Sequence, residues 1–177
     1  MISALPTSRK LAQMVWGAIW LDERSRPRRS KLVIIERDPD APRCGYSNQS
    51  YIKTLEEGLL PYYRRSQLFM QDNARIHTSR ATRAWLALKR VRTIDWPAYS
   101  PDLNPIEHLW WHLKKRINKF YPQYNNYMKG QEEWGGFCSA LQKCWRAIPS
   151  RLIRALILSM PRRMQACRRA RGWQTKY

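Results

Sequence analysis

The chain has 177 residues, of which 44% are hydrophobic and nine are tryptophan, enough for one domain with a sizeable core. Its 33 Lys and Arg outnumber its 13 Asp and Glu and give a formal charge of +20, so nucleic acid is the first candidate partner. The four cysteines show neither C-x-x-C spacing nor the density of a secreted disulfide scaffold, so we expect an intracellular protein. No apolar run is long enough for a membrane span or a signal core, so we expect no membrane contact.

The first third of the chain predicts a β-hairpin and a helix. Residues 11–21 form a nearly unbroken apolar run typical of a buried strand, and residues 31–37 predict a second, antiparallel strand after a long basic tip. Ser47 or Asn48 can cap a helix that ends before Pro61. Its expected core positions are Tyr51, Leu55 and Leu59.

The middle of the chain predicts a strand, an acidic loop and a helix. The strand covers residues 66–72, and Thr78 or Ser79 can cap a helix that runs to about residue 90. A short strand is expected at residues 92–96. The inward positions of the helix are expected to be Ala84, Leu88 and Val91.

The next helix has a strong start signal, with Asn104 as its N-cap and Pro105 at its first position. Glu107 and Lys114 share a face beside the core stripe. That stripe is expected to consist of Ile106, Trp110, Leu113 and Ile117. Residues 121–136 predict an irregular connection, and residues 137–147 and 149–170 predict two closing helices, the last one rich in arginine.

Asp72 and Glu107 are the acidic residues that carry the clearest chemical signal. Asp72 follows an apolar strand, Glu107 starts a helix, and 34 residues lie between them. Strand-end and helix-borne carboxylates that converge in space can share divalent cations, as in phosphodiester cleavage. The alternative is that Asp72 caps a turn and Glu107 complements the helix dipole.

The motifs around both acids resemble those of the catalytic domain of mariner-like DDE transposases. They are QDNARIH at residues 71–77 and SPDLNPIEHLWWHLKKRI at residues 100–117, with the 34-residue spacing of that superfamily. VWG at residues 15–17, SMPRR at residues 159–163 and RGWQTKY at residues 171–177 extend the resemblance over nearly the whole chain.

The resemblance implies an α/β fold of the ribonuclease H-like type, a mixed five-stranded sheet flanked by helices. It implies that Asp72 is the second aspartate and Glu107 the glutamate of a triad that binds two Mg²⁺ (or Mn²⁺) ions, with Asn73, His77 and Asn104 near the site. It also implies DNA as substrate, a homodimer as in transposase assemblies, and the nucleus as location in a eukaryote.

The family's first aspartate lies on the strand that precedes the counterpart of residues 11–21, and residues 1–10 contain no acid. Residues 1–177 are therefore expected to be a partial catalytic domain, without its first (central) strand and without the N-terminal helix-turn-helix modules. Asp22 is the nearest acid, and it is either a catalytic substitute or a solvated turn residue.

Several basic, aromatic and metal-binding side chains have two interpretations. The predicted DNA-binding residues are Lys114, Lys115, Arg116, Lys119, Arg162, Arg163, Arg168 and Arg169; alternatively they form a solvated face or a nuclear-targeting cluster. Trp111 and Trp173 can stack on a base, bury in a partner or pack in the core. A zinc site would need to draw on His77, His108, His112 and either Cys138 or Cys144.

Three functional hypotheses follow from the sequence. The first is a DDE transposase domain for metal-dependent DNA cleavage and strand transfer, expected as a truncated and inactive copy if the first aspartate is lost. The second is a non-catalytic basic DNA-binding remnant. The third is a decayed gene model without a stable product.

Overall fold

The computed structural model describes residues 13–97, 100–125, 130–171 and 175. The chain divides into two compact units. The Asp72 unit contains residues 14–17 and 33–100, and the Glu107 unit contains residues 18–32 and the chain from residue 101 onward. In chain order, the elements are β1 (Val15–Trp16), β2 (Ile19–Leu21), β3 (Pro27–Arg29), β4 (Val33–Ile34), α1 (Asn48–Gly58), α2 (Arg75–Thr78), α3 (Arg80–Leu88), α4 (Ile106–Phe120), α5 (Gln131–Arg146), α6 (Ser150–Leu158) and α7 (Met160–Arg169).

The predicted antiparallel strands are confirmed as two short ladders. In the Asp72 unit β1 pairs with β4, and in the Glu107 unit β2 pairs with β3. The second strand therefore starts earlier than residue 31, and the basic tip shortens to residues 22–26. Asp22 holds this tip, because its carboxylate accepts hydrogen bonds from Arg26 and from the side chain of Arg28. Asp22 thus acts as a turn residue.

Helix α1 forms as the sequence predicts. The Ser47 hydroxyl accepts hydrogen bonds from the backbone N–H groups of Gln49 and Ser50, which are otherwise unsatisfied at a helix start. Its core positions Tyr51 and Leu55 are fully buried, and Leu59 follows them into the core.

The strands expected at residues 66–72 and 92–96 are reduced to one parallel bridge between Phe69 and Thr93. Phe69 donates its N–H to the Arg92 carbonyl at 2.7 Å and accepts from Ile94 N–H at 3.1 Å. Leu68 and Ile94 remain exposed, so little apolar burial supports further pairing. The prediction of extended strands at residues 66–72 and 92–96 is therefore wrong, and the described residues form two short two-stranded sheets and this bridge.

Helix α3 is capped by Ser79, whose hydroxyl accepts from Thr82 N–H at 3.1 Å. The predicted inward positions are wrong for Ala84 and Leu88, which are exposed, and right for Val91. Thr82 and Leu86 are buried instead. In a short helix, two neighbouring faces can each carry apolar residues spaced three or four apart. The sequence alone did not show which of the two faces is buried.

The core of the Glu107 unit centres on Trp145, which is 1% exposed. Its indole N–H donates to the Ser30 carbonyl at 2.9 Å, and Trp110 stacks on its ring. Arg29 donates to the carbonyls of Trp145 and Ile148, both at 2.6 Å. A strand arginine thereby places its positive charge on carbonyls at and just beyond the C-terminal end of α5, where the helix dipole favours a cation.

Helix α4 buries Leu109, Leu113 and Ile117, whereas Ile106 and Trp110 are only half-buried. The core stripe is therefore rotated slightly from the predicted one. Helical structure also resumes earlier than predicted, because α5 begins at Gln131 with two acids in its first turn, which the helix dipole favours.

The last predicted helix is divided in two, α6 and α7. Pro161 lies in the first turn of α7, where it lacks an N–H to continue α6. Among the described residues, no helix is long and apolar enough to cross a membrane.

We predict that Gly58→Ala destabilises the Asp72 unit. An added Cβ would lie 2.6 Å from two ring carbons of Trp16 and 3.0 Å from a methyl group of Val33. Overpacking of this kind costs about 1–3 kcal/mol, measurable by urea unfolding. The control is Gly135→Ala, at a position inside α5 where an added Cβ meets no atom within 4 Å. Because alanine favours a helix over glycine, the free energy of unfolding should rise by about 0.5–1 kcal/mol. Equal effects of the two substitutions would contradict this packing.

Candidate active site

Asp72 lies in the loop between the Phe69 bridge and α2. Its Oδ1 accepts a hydrogen bond from Ala74 N–H at 3.0 Å and lies 2.6 Å from Nδ1 of His77. The backbone contact is a local side-chain turn of the kind that Asp forms two residues ahead. One oxygen of the carboxylate is therefore fixed by its own loop.

The other oxygen of Asp72, Oδ2, has no hydrogen-bond or ion-pair partner within the part of the chain that the structure describes. The side chain is 51% exposed. Carboxylate oxygens that reach solvent are the ligands Mg²⁺ prefers, so this residue fits the metal that the resemblance implies.

Asn73 fixes the same loop from its other side. Its side-chain amide donates to the Trp96 carbonyl at 2.7 Å. This contact ties the loop after Phe69 to the segment after Thr93 and extends the single bridge between them. Asn73 thus has a structural partner next to Asp72.

Glu107 lies exposed in the first turn of α4. The amide of Asn104 is 3.5 Å from its Oε1, and the side-chain oxygen of Asn104 accepts from Ile106 N–H at 3.4 Å. Asn104 is 9% exposed, and the N-cap position of α4 is taken by Pro105, which is already in helical conformation, one residue later than predicted. A carboxylate at this end of the helix is favoured by the helix dipole.

The loop before α4 is fixed by α7. Arg163 is 2% exposed and donates from Nη1 to the Asp102 carbonyl at 2.6 Å and from Nε to the Ser159 hydroxyl at 2.8 Å. Thr175 donates both its N–H and its hydroxyl to the Asp102 carboxylate, at 2.6 and 2.8 Å. The prediction that Arg163 contacts DNA is wrong, because its guanidinium is buried and engaged by the loop that leads to Glu107.

The other predicted DNA-binding residues differ in exposure. Arg116 is half-buried with its guanidinium over the ring of Phe120, and a buried Nε. Trp111 is exposed, with Lys115 over its ring. The exposed cations are Lys114, Lys115 and Lys119 on α4, and Arg162, Arg168 and Arg169 on α7.

A zinc site finds no support in the described residues, where no three His, Cys, Asp or Glu side chains are placed to hold a metal ion. Burial raises the pKa of the Cys138 and Cys144 thiols, which disfavours the thiolate that zinc binds. Burial, together with the nearby charge of Arg163, lowers the pKa of His108.

Residues 45–127 match the family model described as DDE superfamily endonuclease, and this stretch contains both candidate carboxylates. The chain is 36% identical over 93% of its length to the Tc1 transposase of Caenorhabditis elegans and 34% identical over 93% to the Tc3 transposase of the same organism. The chain belongs to the mariner-like DDE transposase superfamily. It spans about half the length of these transposases, 54% of the first and 45% of the second.

Solved structures of a mariner transposase share the fold. The Mos1 transposase catalytic domain with raltegravir and Mg is matched over 92% of this chain and 84% of that chain, with a TM-score of 0.55 and 18% identity. The Mos1 strand transfer complex is matched over 99% of this chain and 48% of that chain, with a TM-score of 0.59 and 20% identity. The ribonuclease H-like α/β class predicted for this superfamily member is confirmed.

Two residues beside the candidate site were missed as site residues in the sequence. Tyr51 was expected only as a core residue, yet its hydroxyl lies 2.6 Å from the Gln71 side-chain oxygen beside Asp72. Gln71 stands next to Asp72 in the motif, but its polar partners come from α1 and α2. Adjacency to the acid was the only available signal.

We predict that the Thr175 contact makes stability depend on pH. Hydrogen bonds from Thr175 hold the pKa of Asp102 below its usual range, and the charge of Arg163 acts in the same direction. A lowered folded-state pKa stabilises the fold above the unfolded-state pKa of about 3.9, and this contribution is lost as pH falls through the folded-state pKa.

Thr175→Val should therefore raise the Asp102 pKa, which carboxyl ¹³C NMR measures. It should also reduce the fall in the free energy of unfolding as the pH is lowered. Thr93→Val, at an exposed threonine, is the control that should leave both unchanged. An Asp102 titration unaltered by Thr175→Val would contradict the contact.

Proposed function

We propose that this chain is the metal-binding portion of a transposase that cleaves and joins DNA strands, with Asp72 and Glu107 as metal-ligating carboxylates. The observation that carries the proposal is the Asp72 carboxylate, which has Oδ1 fixed by Ala74 and His77 although its side chain is 51% exposed. It lies in the stretch matched to the endonuclease family.

The residues of this chain would divide the work as follows. Asp72 and Glu107 would hold Mg²⁺ or Mn²⁺, two ions as in complete relatives, and Asn73, His77 and Asn104 would keep the surrounding loops in place. Bound metal would activate a water or 3′-hydroxyl and stabilise the departing oxygen of the scissile phosphate. The Mos1 structures with Mg and with Mn support the choice of metals.

DNA is the proposed partner, and the exposed cations of α4 and α7 are its proposed contacts. The net charge of +20 favours a polyanion, and phosphate contacts supply most of the sequence-independent affinity for DNA. The Mos1 complex with a transposon end supports this choice. We further propose a homodimer and, in a eukaryote, a nuclear location.

We predict that Asp72→Asn lowers nicking of supercoiled plasmid in Mn²⁺ by about 100-fold, because a metal ligand contributes several kcal/mol to the transition state. The control is Asp95→Asn, which removes the same charge from an exposed aspartate of the same unit and should leave the rate within about twofold. Equal nicking by the Asp72→Asn variant and the unsubstituted chain would sink the catalytic assignment.

A non-catalytic DNA-binding remnant is the second candidate function, favoured by the same exposed cations. Salt-sensitive DNA binding without Asp72-dependent nicking would support it over the enzyme.

We predict that replacing Lys114, Lys115 and Lys119 by Gln flattens the salt dependence of DNA binding. Each lysine that contacts a phosphate contributes about 0.9 to the slope of log affinity against log salt concentration. Fluorescence anisotropy at several salt concentrations measures this slope. The matched control replaces Lys53, Arg80 and Arg83, three exposed cations of the Asp72 unit. Equal changes in slope for the two sets would show that charge alone, and not the α4 face, determines binding.

A further inference from the structure

The carboxylate of Asp72 is connected to the buried core of its unit through three side chains. His77 lies 2.6 Å from Asp72 Oδ1 through its Nδ1 atom, and its side chain is 17% exposed. Its ring packs on the ring of Tyr51, with centroids 4.2 Å apart and planes tilted by 33°. The face of the imidazole is thus held by an aromatic residue that is itself 1% exposed.

A second connection runs through Gln71. The Tyr51 hydroxyl donates to Gln71 Oε1 at 2.6 Å, and Gln71 Nε2 donates to the His77 carbonyl at 3.3 Å. Burial raises the pKa of Tyr51, so its hydroxyl keeps its proton at neutral pH and acts as the donor. This fixes the orientation of the Gln71 amide, whose nitrogen then faces His77.

These contacts form a closed loop. Tyr51 reaches His77 twice, directly through its ring and indirectly through Gln71, so both the ring and the backbone of His77 are held. Tyr51 belongs to α1, whose register is fixed by the Ser47 cap and the buried Leu55. The position of the Asp72 loop is thereby tied to a helix of the core.

We infer that Tyr51, Gln71 and His77 are positioning residues that hold the Asp72 carboxylate with Oδ1 engaged and Oδ2 presented to a divalent cation, an inference that rests on the proposed metal-binding function. Without these contacts, a half-exposed aspartate on a loop would populate several rotamers. The conformational entropy lost when the metal fixes one of them would then weaken metal binding. Hydrogen-bond partners behind a metal-ligating carboxylate typically change metal affinity 10–100-fold when removed.

The first measurement is the affinity of the purified chain for Mn²⁺, read from the electron paramagnetic resonance signal of the free ion. We expect His77→Ala to weaken binding by about 10–100-fold. His77→Asn should recover most of this loss, because the Asn amide nitrogen occupies the place of Nδ1 and can donate to Oδ1. Tyr51→Phe, which removes only the hydroxyl, should weaken binding several-fold.

The matched control is Tyr63→Phe. Tyr63 is a half-buried tyrosine of the same unit, and its hydroxyl donates to the Gln67 carbonyl and accepts from Arg92 N–H, away from the Asp72 contacts. Its loss should reduce stability while leaving Mn²⁺ affinity within about twofold. Equal losses of affinity in Tyr51→Phe and Tyr63→Phe would reduce the role of Tyr51 to stability and overturn the inference.

The second measurement is imidazole ¹⁵N NMR, which the three histidines of the chain make simple to assign. In the metal-free chain, Asp72→Asn should shift the His77 signals and leave those of His108 and His112 unchanged. An unaltered His77 spectrum would show that the contact with Asp72 is absent and would overturn the inference.

The two proposals fail in different ways. If Asp72→Asn lowers Mn²⁺ affinity and His77→Ala does not, the metal-binding function stands and the positioning role falls. If Asp72→Asn leaves Mn²⁺ affinity unchanged, the metal role of Asp72 falls and the positioning role with it.

Discussion

The contact between His77 and Asp72 is the interaction on which the candidate site depends. It joins a carboxylate on a half-exposed loop to an imidazole that packs against the buried ring of Tyr51. A metal ligand must be both ordered and accessible, and these needs conflict on a loop. In Asp72, the contacts of Oδ1 provide the order, while the side chain as a whole stays 51% exposed.

In the Glu107 unit, a buried cation fixes the loop that precedes the candidate carboxylate. Arg163 is held inside the unit by Ser159 and by the Asp102 carbonyl, which fixes the loop that leads into α4. A buried guanidinium is stable only when its donors are satisfied, so the arginine and the loop depend on each other. One of the chain's many cations therefore has a structural role, whereas the exposed cations of α4 and α7 are the ones proposed to contact DNA.

The sequence predicted the elements whose signals are local. The Ser47 cap, the Asn104–Pro105 helix start and the pairing of the first strands are confirmed because each rests on a few neighbouring residues. The strands around Phe69 and Thr93 were overestimated, since apolar residues such as Leu68 and Ile94 favour a strand without revealing that they stay exposed.

The candidate acids were found in the sequence, but their supports were not. Asp72 and Glu107 stand in distinctive motifs, whereas the roles of Tyr51 and Arg163 come from residues far away in the chain. A tyrosine at a core position predicts burial and says nothing of where its hydroxyl donates. An arginine in a basic run predicts a surface, and only the fold shows that one member of the run turns inward.

The role of Asp72 as a metal ligand is tested most directly by a crystal structure of the chain grown with Mn²⁺, with the ion located by its anomalous scattering. We expect an anomalous peak bonded to Oδ2 of Asp72, with Nδ1 of His77 still at hydrogen-bond distance from Oδ1. An Asp72 carboxylate ordered by His77 but without a bound ion at saturating Mn²⁺ would contradict it.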